Sequence, residues 1–360
     1  MNKRKILVIS LSGIGNTLLA TPFLKVLRKH YLDERIDFLG LNQGIVEVVE
    51  ASSLVDDIFI FSKKFFKNLS VIRQLRRKGY AYSVTLFPSN KRQFNILAFL
   101  IGAKRRATHS YDSRNIATFS FLQNVKIPVD ESLCDIEQNM NLLKAFTLES
   151  RVKNKEPNIF IDKRDAQFAE QFLKEKRLES EFLIGMHPGG GGIWDKRWQG
   201  SLKRWPEEYF ARACDRLIEL KKAKILIFGG VEEEELKDKI KDLSRYKKDI
   251  VIINEASLKK VSALIRKCKS FISNDTSLMH IGAALGVPTL GIFGPTNYKR
   301  TAPYGKNGYY IKSGISCSPC LKYPFYSTSS KIKCTKNLEC LRKITPDDVI
   351  NKLKEMEKIS

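Results

Sequence analysis

The feature that most constrains this chain is a repeated alternation of short apolar runs with longer amphipathic stretches. In the first half the runs fall at Lys5–Ser10, Arg35–Leu39, Asp56–Phe61 and Ala81–Leu86, with a further, more polar strand expected at Lys104–Thr108. In the second half they fall at Phe182–Met186, Lys224–Phe228, Ile250–Ile253, Ser270–Ser273 and Pro288–Phe293. Runs this short, rich in β-branched residues and separated by helix-length segments, predict parallel strands covered by helices on both faces. Helical patterns read at Thr17–His30, Pro206–Lys221, Glu232–Arg245, Leu258–Lys267 and Ser277–Leu285. The scheme occurs twice, and 360 residues exceed one ordinary core. The expected fold class is α/β, with two Rossmann-like doubly wound domains facing across a cleft. Residues 1–165 and 166–345 form the two domains, and Pro346 opens a closing helix over 346–360. The polar stretch Arg151–Pro157 suits the linker.

A hydrophobic fraction of 43% is enough for two cores and excludes a disordered chain. The formal net charge of +24 favours partners that carry phosphate or carboxylate groups. Half of that charge lies in one stretch, because residues 58–111 hold twelve Lys and Arg and no Asp or Glu. This predicts that the first domain receives an anionic acceptor at a membrane surface. The longest apolar run, Asn95–Ala103, is too short to span a bilayer. Lys3, Arg4 and Lys5 before an apolar stretch imitate a signal peptide, but Ser10, Ser12, Gly13, Gly15 and Asn16 interrupt it. A strand entering a glycine turn is the expected reading, with the protein cytoplasmic and peripheral on the inner membrane face. No nucleic-acid motif is present, so nucleic acid is not an expected partner.

Ligands of doubly wound domains sit beyond the carboxyl ends of the strands, so the loops there carry the chemistry. Ser12-Gly13-Ile14-Gly15-Asn16-Thr17 follows the first run. Its glycines suit close approach of a ligand, and Asn16 or Thr17 suits a helix N-cap. His187-Pro188-Gly189-Gly190-Gly191-Gly192 follows the first run of the second half, with Lys196, Arg197, Lys203 and Arg204 as counter-charge for a diphosphate. Gly229-Gly230-Val231 leads into Glu232 and Glu233, which suit either dipole compensation or a ribose hydroxyl. The most informative loop is Asn274-Asp275-Thr276-Ser277-Leu278-Met279-His280. Thr276 or Ser277 can cap the following helix and leave its N–H groups for phosphate oxygens. Asp275 suits sugar hydroxyls, and His280 lies one helical turn after Thr276.

These residues resemble glycosyltransferase family 9, the bacterial heptosyltransferases of lipopolysaccharide synthesis. The likeness is strongest over Lys5–Leu27, in Lys203-Arg204-Trp205-Pro206, over Ser273–Thr296, and in Cys317-Ser318-Pro319-Cys320. The resemblance implies a GT-B fold, an inverting mechanism, an ADP-heptose donor, a lipid-linked acidic glycan acceptor and no metal or other cofactor. It places Lys203 at the diphosphate, with Asp275, Thr276, Ser277 and His280 lining the donor site. It also places Glu232 or Glu233 at the ribose, and Gly13, Gly15, Gly190 and Gly191 near the diphosphate.

One departure stands out. The family's general base is an aspartate in the first glycine turn, and this chain has Asn16, which cannot accept a proton near neutral pH. His109 and Asp112, read as a loop after a first-domain strand, are the candidates to replace it. The alternative reading is a nucleotide-sugar-binding protein with lost or altered catalysis. Cys317, Cys320, Cys334 and Cys340 read as reduced thiols, with zinc as the alternative.

Overall fold

The computed structural model describes residues 4–61, 65–111, 114–150, 152–190, 202–321 and 334–359. The chain divides into two compact units, Met1–Phe160 and Ile161–Ser360.

In the first unit six parallel strands run β1 (Lys5–Ser10), β2 (Arg35–Gly40), β3 (Ile58–Ile60), β4 (Tyr82–Thr85), β5 (Arg105–Ser110) and β6 (Val125–Pro128). Their spatial order is β3-β2-β1-β4-β5-β6. The second unit holds β7 (Leu183–His187), β8 (Lys224–Ile227), β9 (Ile250–Ile252), β10 (Ser270–Asn274), β11 (Thr289–Phe293) and β12 (Gly308–Lys312). They lie in the order β12-β11-β10-β7-β8-β9, the same winding as the first sheet. In each unit the strand order reverses beside the first strand, at β1/β4 and at β7/β10. Such switch points open the crevice that doubly wound sheets use for ligands.

The inner strands are continuous apolar runs because helices cover both faces of the sheet. Ile6, Leu7, Val8 and Ile9 are fully buried in β1, and every residue of β7, β10 and β11 is buried. Two strands absent from the sequence reading, β6 and β12, each lie at one edge of a sheet and are only partly buried. The expected helix over Thr17–His30 is two helices, Ile14–Leu19 and Thr21–His30. Pro22 lies in the first turn of the second helix, where the missing N–H costs no hydrogen bond. The N-cap of the first is Gly13, not Asn16 or Thr17. Asn16 therefore lies inside the helix, while Thr17 turns its hydroxyl back onto the Gly13 carbonyl at 3.0 Å.

The closing helix, Pro346–Ile359, belongs to the core of the second unit. Its Val349, Ile350, Leu353 and Met356 are buried in the same apolar cluster as Trp205 and the sheet residues Ile184 and Ile225. Trp205 anchors the approach to this helix by donating its indole N–H to the Ile344 carbonyl at 2.8 Å. Leu353→Ala should therefore cost about 2–5 kcal/mol, the range for a buried leucine. Denaturant titration checks this, and an unchanged midpoint would remove the helix from the core.

Candidate functional site

At the switch point of the second unit, the loop after β7 meets the loop after β10. His187, the last residue of β7, is 5% exposed and uses both ring nitrogens. Its Nδ1 lies 2.8 Å from the Thr276 hydroxyl, and its Nε2 lies 3.2 Å from Glu233 Oε2. Three loops, those after β7, β8 and β10, are thus joined through one imidazole. The Glu233 carboxylate also accepts the Gly230 N–H at 3.1 Å. Burial alone would raise the Glu233 pKa, but the hydrogen bond and charge of His187, the Gly230 N–H and the Arg204 charge pull it down to about 2. An ionised carboxylate only accepts, so Nε2 carries a proton towards Glu233.

Asn274, fully buried at the end of β10, ties the same loops by their backbones. Its amide donates to the carbonyls of Pro188 at 2.8 Å and Gly189 at 3.0 Å, and its Oδ1 accepts the Trp205 N–H at 3.2 Å. Gly189 leaves no room for a side chain, because a Cβ there would lie 1.8 Å from Glu233 Oε1 and 2.6 Å from His187 Nε2.

Lys203 lies 3.1 Å from Asp275 Oδ2 and 3.4 Å from the Asp275 carbonyl. The pair is mostly buried, at 16% and 8% side-chain exposure. Thr276 holds the N-cap position of the helix Ser277–Ala284 without capping it, because its hydroxyl is turned to His187. Ser277 opens the helix, and His280 follows on its first turn, with its Nδ1 buried and without a hydrogen-bond partner. Burial, opposed by the Asp275 charge and helped by that of Lys203, lowers the His280 pKa to about 4 and keeps the ring neutral at pH 7. The helix ends at Gly286, whose φ of 78° is a left-handed conformation that glycine adopts without strain.

The structure thus gathers Lys203, Glu233, Asp275, Thr276, Ser277 and His280, together with Gly190, which is buried at the end of the described part of its loop. It does not gather Glu232, which is exposed; of the two acids, Glu233 faces the site. Gly191, Lys196 and Arg197 lie outside the described residues. His187 and Asn274 were not singled out as site residues. Their sequence signal is only position: each is the last residue of a strand flanking the switch point.

In the first unit the loops after β1 and β4 meet at the equivalent place, where the Ser12 hydroxyl donates to the Pro88 carbonyl at 2.9 Å. Gly13 has φ −156°, ordinary extended backbone, and Gly15 lies inside the first helix, so neither is required by backbone strain. Asn16 is half-buried in that helix.

The expectation for His109 is corrected. His109 lies within β5, not in a loop, and is fully buried. Its Nε2 is 3.0 Å from the Gln138 carbonyl, and its ring packs edge-on against Phe87 at 5.0 Å. Burial, against the pull of the Gln138 carbonyl, lowers its pKa to about 4. A ring enclosed in this way cannot reach an acceptor hydroxyl, so His109 is a core residue and not the base. Asp112 lies outside the described residues.

Cys317, Cys320, Cys334 and Cys340 are free thiols near enough to influence one another. Burial first, and the neighbouring thiols next, push Cys340 up to about 11. Among the described residues, no group of three or more His, Cys, Asp or Glu side chains is arranged to hold a metal ion.

Two doubly wound units, with a Lys–Asp pair, a neutral histidine and an uncapped helix N-terminus at one switch point, define a nucleotide-binding α/β protein. The chain belongs to glycosyltransferase family 9, the heptosyltransferase family, whose model matches residues 68–328. It is 24% identical to lipooligosaccharide heptosyltransferase 2 of Campylobacter jejuni serotype O:2 over 365 residues, 99% of each chain. The glycosyltransferase family 9 structure from Veillonella parvula matches with a TM-score of 0.78 and 24% identity, covering 99% of this chain and 98% of that one. The E. coli ADP-heptose lipopolysaccharide heptosyltransferase II structure matches with a TM-score of 0.75 and 20% identity over 98% of each chain. These likenesses confirm the GT-B fold, and the chain is a glycosyltransferase.

The depressed Glu233 pKa gives a signed expectation. Its ionised form stabilises the fold fully above the ordinary value of 4.5, and that stability is lost as pH falls through about 2. Glu233→Gln should therefore be less stable than the parent at pH 7, with the gap closing towards pH 2. Denaturant midpoints at several pH values check this, and a gap independent of pH contradicts it.

Proposed function

We propose that this glycosyltransferase moves a heptose, with inversion, from ADP-heptose to an acidic lipopolysaccharide-type acceptor. The observation that carries the reading is the joined set Glu233–His187–Thr276 beside the Lys203–Asp275 pair. Each part matches one part of a nucleotide-sugar. Glu233 accepts from ribose hydroxyls, a carboxylate's natural partners. Lys203 and the N-terminus of the helix Ser277–Ala284 face the diphosphate and stabilise the charge that grows as it leaves. No metal is assigned to that task, since Lys203 supplies a cation. Asp275 is left for sugar hydroxyls, with His280 behind it on the helix that follows.

The acceptor is proposed to bind the first unit at the loops after β1 and β4. Its acidic character is supported by the twelve basic residues and absent acids over residues 58–111. Asn16 orients the attacking hydroxyl by hydrogen bond without taking its proton. With His109 enclosed in the core, Asp112 is the candidate base that stays open from the sequence. The relatives' heptosyltransferase names support heptose and the lipopolysaccharide-type acceptor. The site of action is proposed to be the cytoplasmic face of the inner membrane, and among the described residues no helix is long and apolar enough to cross it.

Lys203→Ala should weaken donor binding by on the order of tenfold or more, the loss of one charge-assisted contact to a diphosphate. Asn16→Ala should lower kcat far less than the ~10²–10⁴ lost with a true general base. Transfer from ADP-heptose to a deacylated lipopolysaccharide core, with donor affinity measured separately, checks both. Unchanged donor affinity in Lys203→Ala overturns the diphosphate assignment. An inactive Asn16→Ala with intact donor binding overturns the orienting role.

A further inference from the structure

The first unit carries a second feature that the transfer chemistry does not use. Large apolar side chains stand exposed on four neighbouring segments: Leu69 at 37%, Phe99 at 46%, Leu100 at 43%, Ile116 at 80% and Phe121 at 54%. They belong to the helix Phe65–Lys78, the helix Arg92–Ile101, the short helix Asn115–Thr118 and the turn Ser120–Leu122.

Direct contacts hold these segments together. Arg76 of the first helix donates to the Leu100 carbonyl at 2.8 Å. Asn95 donates to the Thr118 carbonyl at 2.8 Å, and Gln123 donates to the Asn95 carbonyl at 2.7 Å. The Arg106 guanidinium lies 5.5 Å over the Phe99 ring and donates to the Leu122 carbonyl. The rings of Phe119 and Phe121 meet at a tilt, with centroids 5.4 Å apart. Phe99, Leu100, Ile116 and Phe121 therefore sit on segments locked into one framework. That framework carries exposed Arg73, Arg77, Arg92 and Lys104, in a stretch with no acid to neutralise them.

An apolar patch of this kind on a soluble surface marks an interaction site. The surrounding charge decides between occupants. A second copy of the chain would bring the same positive field against itself, whereas an anionic bilayer answers both the charge and the apolar tips. We infer that Phe99, Leu100, Ile116 and Phe121, ringed by these Arg and Lys residues, form a docking face that inserts shallowly into the headgroup region of an anionic membrane. The inference rests on the acceptor being lipid-linked. It adds that the protein holds the bilayer itself and does not depend on the glycan for attachment. The arginines act as charges on phosphate, and the aromatic and aliphatic tips enter the acyl boundary, with Arg106 held over Phe99 rather than reaching solvent alone.

The test uses the full chain and glycan-free vesicles, either pure phosphatidylcholine or phosphatidylcholine with phosphatidylglycerol. The wild type should sediment with the anionic vesicles and far less with the neutral ones, and salt should release most of it. Arg73→Glu/Arg77→Glu should lower the partition coefficient by roughly tenfold or more. Phe99→Ser/Ile116→Ser/Phe121→Ser should lose the binding that persists in salt, with circular dichroism and melting unchanged. The apolar variant should keep wild-type turnover on a soluble deacylated acceptor. Equal binding to the two kinds of vesicle, or full binding by both variants, overturns the inference. So does a concentration-dependent dimer that these substitutions abolish, since the patch would then serve a second copy. If soluble turnover is absent in every protein while vesicle binding behaves as expected, the functional reading fails and the docking face stands.

Discussion

Much of the second unit depends on one buried imidazole. His187 has a carboxylate on one side and a hydroxyl on the other, and the ionised state of Glu233 dictates where its proton sits. Reversing the ring's protonation pattern would leave two acceptors facing each other at Nε2, at the cost of a buried unmet polar group. The ring therefore sets a distance and an angle between the loop that would hold a ribose and the helix N-terminus that would hold a phosphate. Asn274 repeats the tie through backbone carbonyls, so the loops are fixed twice, by side chain and by main chain. Gly189 is small because these groups already fill the space a side chain would need. Preorganisation of this kind lets a site bind a charged ligand without rearranging first.

The winding of both sheets was legible because buried parallel strands are written as apolar runs. Nine of the twelve described strands follow from such runs, and β5 was read from its place in the alternation. Two of the four edge strands, β6 and β12, were not legible because their residues do not form an apolar run; Lys126, Tyr310 and Lys312 stand exposed in them. His109 misled for a related reason. A polar run, Arg105–Ser110, builds an inner strand whose middle is buried, and local pattern suggested that the strand ended before the histidine.

The candidate site divides the same way. Asp275, Thr276, Ser277 and His280 are close in sequence, so one turn of helix displays them together. His187 lies 46 residues from Glu233 and 89 from Thr276, and only the strand order brings the three together. Choosing between Glu232 and Glu233 likewise needed the short helical turn that points one inward and leaves the other in solvent. The charge asymmetry needed no structure at all. What the structure adds is that the basic stretch of the first unit is also where large apolar side chains stand exposed.

The central claim is that His187 couples the nucleotide-holding carboxylate to the phosphate-facing turn, and a double-mutant cycle tests it most directly. ADP affinity would be measured by calorimetry for the wild type, Glu233→Gln, His187→Gln and the double variant at pH 7. Coupled residues show an interaction energy of about 0.5–3 kcal/mol, so the double variant should bind ADP better than the two single losses predict by addition. Losses that add to within about 0.3–0.5 kcal/mol would show the two groups acting independently, and the account built on that imidazole would be wrong.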